Sequence, residues 1–417
     1  MPSAISIPAS ATASAWPRAS SFPRHGACRS SPPAARLARA DPIDMRVPLP
    51  VVARVFLRLG ATAFGGPAGH IAMMHDEIVR RRGWIDAEAF ADLIAATNVI
   101  PGPNSTEVAV HVGRRVAGWR GLLVAGIAFI LPSALIVSAF AALYVRYGRT
   151  PDARGLLAGV APPVVAIIAN AVWGLGRSTL RKPALAVVAS AAAALALAGV
   201  NELLLLAGGA LAMILTRTAF RRAAPVIAVV SLGATLKAAA ASAAAPVSLV
   251  KLTLFFLKVG SVLFGSGYVL IAFLRADLVE RWHWLTDRQL LDAIAVGQFT
   301  PGPLSTTATF IGYVLGGWPG AVLATIAMFL PAFVFVAVTQ PLIPRLRRSR
   351  VAGAALDGLV AASLGLMAAV ALALARQTLT TPMMAALAAG SLVVLVRWNV
   401  NSAWLVLAGA ALGILLA

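Results

Sequence analysis

Phe64-Gly65-Gly66-Pro67, Trp84 and Pro101-Gly102-Pro103-Asn104-Ser105-Thr106 return 200 residues later as Phe264-Gly265-Ser266-Gly267, Trp284 and Pro301-Gly302-Pro303-Leu304-Ser305-Thr306. One unit has been used twice. In each copy glycines and prolines interrupt strongly apolar sequence. Hydrophobic segments interrupted at corresponding positions of two halves are the best sequence pointer to a transporter's binding site.

Outward from the motif, the same offset pairs Arg58 with Lys258, Glu77 with Asp277, Asp92 with Asp292 and Asn98 with Gln298. After one deletion the offset becomes 199 and pairs Gly113 with Gly312, Gly118-Trp119 with Gly317-Trp318, Pro132 with Pro331 and Gly159 with Gly358. The chain therefore divides into an Arg-, Pro-, Ser- and Ala-rich extension at 1–45, a first transporter repeat at 46–218, a connector at 219–247 and a second repeat at 248–417. The extension has no long apolar run and no hydropathic period, so it reads as disordered. A transit-type leader and a misassigned start upstream of Met45 both fit it. The connector begins with an apolar but short stretch, Ala223 to Leu236, which fits a spanning and a non-spanning segment alike.

Composition places the repeats in a bilayer. With 59% hydrophobic and 12% charged residues and a mean hydropathy of +0.85, the chain lacks the polar residues to cover a soluble globule. Uncharged runs at or near spanning length occur at 121–145, 155–176, 183–201, 358–375, 377–396 and 398–417, and 293–344 holds no charge at all. These runs of Ala and Leu do not alternate as barrel strands would. The expected fold is an all-α polytopic membrane protein with about 10–12 transmembrane helices, in two homologous, inverted repeats with broken or re-entrant helices.

The net charge of +20 does not indicate nucleic acid. The basic residues form short clusters at the edges of apolar runs, such as Arg80–Arg82, Arg114–Arg115 and Arg177–Lys182, which is how cytoplasmic loops are marked. The loop from Arg114 to Arg120 is basic while its counterpart from Tyr313 to Pro319 is uncharged, as opposite orientation requires. The later pair, Arg146 to Arg154 and Arg345 to Arg350, is basic in both copies. The single Cys28 excludes an internal disulfide and a multi-cysteine metal site.

Within the repeats, ten of the fifteen acidic residues lie in Asp76–Glu107 and Asp277–Asp292, so the chemistry concentrates between the two motif elements. The prolines of Pro101-Gly102-Pro103 remove amide donors and bias their predecessors away from helix, ending a helix that arrives from Asp86. A new helix follows, with Asn104, Ser105 or Thr106 as its N-cap and Ser305 or Thr306 as the equivalent. Such a break at membrane depth is tolerated only where protein or a water-filled cavity surrounds it, and its free amides and dipole favour an anion. The alternative is a tight turn between ordinary helices.

The candidate anion-binding set is Arg58, Gly65, Gly66, Gly102, Ser105 and Thr106, with Lys258, Gly265, Ser266, Gly302, Ser305 and Thr306 from the second copy. Gly65-Gly66 and Gly265-Ser266 permit close approach of substrate to backbone, or simply of one helix to another. Arg58 and Lys258 are cations inside apolar segments, which mark a substrate path or a paired charge, or snorkel to the headgroups. Glu107 and His111, four apart on one helical face, form a candidate proton relay of the first copy alone. Asp92 and Asp292 serve coupling or pair with nearby arginines. Pro132 and Pro331 are expected to kink spanning helices. With no Gly-x-x-x-x-Gly-Lys-[Ser/Thr] loop, uphill movement must draw on an ion gradient or the membrane potential. No cofactor, metal or catalytic residue is expected.

The doubled Phe-Gly-Gly-Pro, Pro-Gly-Pro and Gly-Trp elements resemble the chromate ion transporter family in its long, two-domain form, over nearly everything after residue 46. The resemblance implies a bacterial inner-membrane protein that exports chromate, coupled to protons or membrane potential, and so confers chromate resistance. Its implied partners are chromate or a related oxyanion, protons, membrane lipids and a second copy of the chain as a homodimer. Sulfate or another oxyanion as substrate, with import as the direction, is the alternative. A membrane-embedded enzyme would need a catalytic constellation that the sequence does not show. The second copy departs at Ser266-Gly267, where the first has Gly66-Pro67, so the halves are not equivalent.

Overall fold

The computed structural model describes residues 47–64, 66–97, 100–148, 150–218, 247–264, 267–339, 349–398 and 400–416. The extension 1–45, nearly all of the connector and the motif residues Gly65, Gly265 and Ser266 lie outside the described residues. The first repeat runs α1 (Leu49–Thr62), α2 (Gly66–Met74), a π-helical turn (His75–Arg81), α3 (Ala87–Thr97), α4 (Asn104–Tyr147), α5 (Pro151–Thr179), α6 (Pro183–Leu197) and α7 (Glu202–Thr218). The second follows the same order. It runs α8 (Leu249–Val262), α9 (Leu270–Leu274) after a 3-10 turn, a π-helical turn (Arg275–Arg281), α10 (Asp287–Phe299), α11 (Thr307–Thr339) after a 3-10 turn (Leu304–Thr306), α12 (Arg350–Thr378), α13 (Pro382–Trp398) and α14 (Ser402–Leu416). Even the π-helical turns recur at the same offset.

The chain is an all-α polytopic membrane protein. Four helices, Asn104–Tyr147, Gly155–Thr179, Leu304–Thr339 and Val351–Thr378, are long and apolar enough to cross a bilayer. Among the described residues, the shorter apolar helices are α6, α7, α13 and α14. The exposed faces agree. Leu123, Ile127, Leu131 and Leu135 form an exposed stripe on α4, and Val322, Ile326, Leu330 and Val334 form its counterpart on α11. In water such stripes promote aggregation; in lipid they are the natural outer surface.

Neither α4 nor α11 is one straight helix. The backbone leaves helical geometry at Ala117 and Gly118, where Gly118 has φ 63°, and at Gly316 and Gly317, where Gly317 has φ 59°. A Cβ on Gly113 would collide with the carbonyl of Gly121, and one on Gly121 with that of Gly113. Residues eight apart in a continuous helix are separated by about 12 Å, so the chain has doubled back. In α11 the Thr309 and Thr325 hydroxyls meet at 2.7 Å, and Gly312 packs on Gly320 in the same manner. Each is therefore a re-entrant half-helix followed by a full spanning one. Pro132 and Pro331, expected to kink these helices, lie inside them, and the sharp reversal sits at glycine. Only glycine accepts the positive φ without strain, whereas proline in a helix merely removes one hydrogen bond.

The halves interlock by exchange. α5 packs on α13 and α14, while its counterpart α12 packs on α6 and α7. Glycines allow the contacts: the backbone of Gly159 lies against Gly409 and Gly413, and that of Gly358 against Gly209. Small residues at membrane helix crossings bring backbones into direct van der Waals contact, the main attraction available between helices in lipid.

An alanine at Gly113 inserts a methyl group where the hairpin closes, a cost of about 1–3 kcal/mol. Gly113→Ala is expected to lower the monodisperse yield after detergent extraction. Gly174→Ala, where nothing lies within 4 Å, is expected to extract as wild type; equal yields for both would contradict the hairpin.

Candidate functional site

The first helix of each repeat ends where a chain break of the other repeat begins. α1 stops at Ala63 and α8 at Leu263, both in extended conformation. The amide of Gly102 donates to the Leu263 carbonyl at 2.7 Å, and the amide of Gly302 donates to the Ala63 carbonyl at 2.8 Å. The two bonds are the same bond made twice, in opposite senses. Each ties a Pro-Gly-Pro element to the first helix of the opposite half. Both glycines have positive φ, 146° and 96°, so the motif requires glycine there on backbone grounds alone. Space reinforces this: a Cβ on Gly302 would lie 2.6 Å from Cβ of Ser133, and one on Gly102 would lie 3.5 Å from Cβ of Ala332 and strike the Glu107 carboxylate.

The expected side-chain caps are not used. Pro103 and Pro303 occupy the N-cap positions, and neither receives a side-chain cap. The Thr106 and Glu107 amides bond the Pro103 carbonyl at 2.8 and 3.1 Å, and the Thr306 amide bonds that of Pro303 at 3.0 Å. The amides at 105 and 304–305 have no carbonyl within their own helix to bond. Because a proline cap has no side chain to offer, the hydroxyls turn elsewhere. Thr306 donates to the Pro303 carbonyl at 2.8 Å and meets Ser133 at 2.9 Å. Ser105, Thr106, Ser305 and Thr306 are all buried.

Here the halves diverge. Ser133 of the first repeat corresponds to Ala332 of the second, so Thr306 has a hydroxyl partner across the interface while Thr106, fully buried, has none. One turn further on, Glu107 and His111 are both 0% exposed, and neither carboxylate oxygen nor either ring nitrogen has a hydrogen-bond partner. The second repeat has Thr307 and Ile311 there, and the Thr307 hydroxyl is satisfied by the Leu304 carbonyl at 2.8 Å. Leaving a buried polar group unpaired costs about 1–3 kcal/mol. The first repeat thus carries three unsatisfied groups in one place, and the second has replaced or satisfied each of them.

Sequence reading missed His70. It is buried, sits edge-on to Phe129 with centroids 5.9 Å apart, and has an unpartnered Nδ1. Together with Gly66 it faces Gln298, Thr300, Gly302 and Leu304 of the other half across a cavity of about 10 Å³. That volume holds about one water. The signal was available: His70 corresponds to Leu270, a polar residue in one copy only, the same asymmetry that singled out Glu107.

The two cations do not converge on this place. Arg58 is exposed on α1. Lys258 is ion-paired with Asp277, which is fully buried and also bonded by Arg281. Its charge is already neutralised. In the first repeat Glu77 is bonded by Arg82 at 2.8 Å, so the matching acid is occupied without Arg58. Asp292 accepts from the Tyr144 hydroxyl at 2.8 Å, while Asp92 is exposed. The acids thus take unequal roles, and both lie apart from the Pro-Gly-Pro crossing.

Comparison with known proteins fits this duplicated architecture. A family model described as chromate transporter matches residues 51–214 and again 250–414. The chain is 32% identical over 367 residues to a chromate transport protein of Cupriavidus metallidurans, covering 86% of this chain and 90% of the relative. It is 36% identical to a chromate transport protein of Pseudomonas aeruginosa, covering 78% and 80%. A probable chromate transport protein of Synechococcus elongatus is 31% identical over 78% of this chain and 84% of its own length. No solved structure matches.

The Ser133–Thr306 contact predicts that Ser133→Ala lowers thermal stability in detergent by about 1 kcal/mol. Ala332→Ser is expected to raise it by a similar amount, because it gives Thr106 the partner that Thr306 already has. An unchanged melting temperature for both would contradict the paired geometry.

Proposed function

Because the chain belongs to the chromate transporter family, we propose that it carries chromate outward across the bacterial inner membrane as a secondary transporter, with the substrate held where the two Pro-Gly-Pro elements cross. The observation that carries this reading is the reciprocal pair of bonds from Gly102 and Gly302. They set two broken-helix N-termini at the interface of the repeats, and a tetrahedral dianion needs fixed donors rather than mobile ones. The donors are the amides at 105 and 304–305, the Thr106 hydroxyl and His70. Movement of the broken helices around the crossing opens the 10 Å³ cavity to substrate from alternate sides.

Repeat inversion is supported by the re-entrant turns. Ala117-Gly118 and Gly316-Gly317 are equivalent reversals, yet the first lies between Arg114, Arg115 and Arg120 and the second in uncharged sequence. Basic residues collect on the cytoplasmic side, so the equivalent turns face opposite sides.

Charge decides the coupling. Export of a dianion down an inside-negative potential yields about 4.6 kcal/mol per 100 mV, so the potential alone is a sufficient drive. Glu107, placed against Gly102, repels that dianion by several kcal/mol when ionised and tolerates it when protonated. A proton on Glu107, with His111 one turn away, therefore accompanies anion binding.

In proteoliposomes with an imposed potential, wild-type chromate flux is expected to rise as the pH on the loading side falls. Glu107→Gln is expected to keep the low-pH rate at every pH. An unaltered pH profile in Glu107→Gln would remove the carboxylate from the mechanism. Equal transport of sulfate, or flux only in the inward direction, would overturn the substrate and direction.

A further inference from the structure

A second polar centre lies away from the Pro-Gly-Pro crossing. A cavity of about 730 Å³ opens where the loop between α6 and α7 meets the π-helical turn of the second repeat and the apolar side of α12. Its charged lining consists of Glu202, Arg275, Glu280 and Arg281. Behind them stand Asp277 and Lys258, and Asp287 of α10 closes on Arg275 at 2.7 Å. α6 and α12 contribute only apolar side chains to the lining.

All but one of these carboxylates have a cation. Arg275 pairs with Glu280 and Asp287; Lys258 and Arg281 pair with Asp277. Three cations thus balance three acids. Glu202 is left over: it is 7% exposed, lines the cavity, and its Oε2 has no hydrogen-bond partner. An ionised carboxylate buried without a partner is costly, and the cluster is neutral only when that carboxylate carries a proton or another cation. The pseudo-equivalent position in the other half is Ser402, whose hydroxyl faces Gln298 at 3.5 Å. The surplus acid therefore occurs once per molecule. It belongs by sequence to the first repeat but sits on the ion cluster of the second, because α7 packs on α12.

We propose that Glu202 is a proton-binding site in its own right, loaded and unloaded from this cavity and independent of Glu107. With Glu202 protonated, the six ion-paired groups Lys258, Arg275, Arg281, Asp277, Glu280 and Asp287 sum to zero; deprotonation adds one negative charge to them. Since Lys258 is carried by α8, whose end receives the Gly102 bond, the charge state of the cavity bears on the element that holds the opposite Pro-Gly-Pro break.

The test does not depend on transport. Detergent-solubilised wild-type protein is treated with dicyclohexylcarbodiimide, which modifies protonated carboxyl groups in apolar surroundings, over a series of pH values, and labelled peptides are quantified by mass spectrometry. Labelling is expected at Glu202 and to fall about tenfold per pH unit once the group ionises, with no protection by sodium at fixed pH. It is expected to persist in Glu107→Gln. No labelling at Glu202, labelling independent of pH, or protection by sodium would overturn the proposal, and loss of Glu202 labelling in folded Glu107→Gln would overturn its independence.

Discussion

Two backbone hydrogen bonds, Gly102 to Leu263 and Gly302 to Ala63, set the constraint on which the remaining structure depends. In a membrane interior a chain break exposes amides and carbonyls that lipid cannot satisfy. A single repeat would carry two such defects, the end of its first helix and its Pro-Gly-Pro turn. Pairing two copies satisfies the carbonyl of one defect with the amide of the other. The need for that satisfaction explains why the unit occurs twice, why glycine occupies both donor positions, and why the breaks meet at the repeat interface.

The scaffold keeps the symmetry and the chemistry breaks it. Paired glycines close both re-entrant hairpins, and the exchanged α5 and α12 lock the halves together through Gly159 and Gly358. Against that regular frame the polar groups differ. Thr306 is satisfied by Ser133, but Thr106 faces Ala332; Glu107 and His111 stand against Thr307 and Ile311; Glu202 stands against Ser402. Unsatisfied polar groups reduce stability, so a group of them at one place points to a ligand, a proton or water that completes them. The polar groups are asymmetric inside a duplicated frame.

Much of this was legible in the sequence. The doubled motif disclosed the duplication, the prolines marked the chain breaks, and the uncharged runs disclosed the membrane. The reciprocal bonds were not legible, because they join residues more than 150 apart through backbone atoms that every residue possesses. Gly118 and Gly317 were legible as an equivalent pair but not as points of reversal, since in these helices only a kink at Pro132 and Pro331 had been expected. A paired charge was one reading of Lys258, but its partner was not legible because Asp277 lies beyond a chain break, where helical spacing no longer predicts contact. Glu202 was passed over because it falls outside the acid-rich stretches, and only the exchange of helices brings it to the second repeat's ion cluster.

Hydrogen exchange measured with and without chromate tests the central claim most directly. If the two Pro-Gly-Pro crossings hold the anion together, chromate slows exchange in peptides covering 100–107 and 300–307 to a similar extent, with little change in α6 or α13. Slowing in one crossing only, or in neither while chromate binding persists, would contradict a site shared between the two halves.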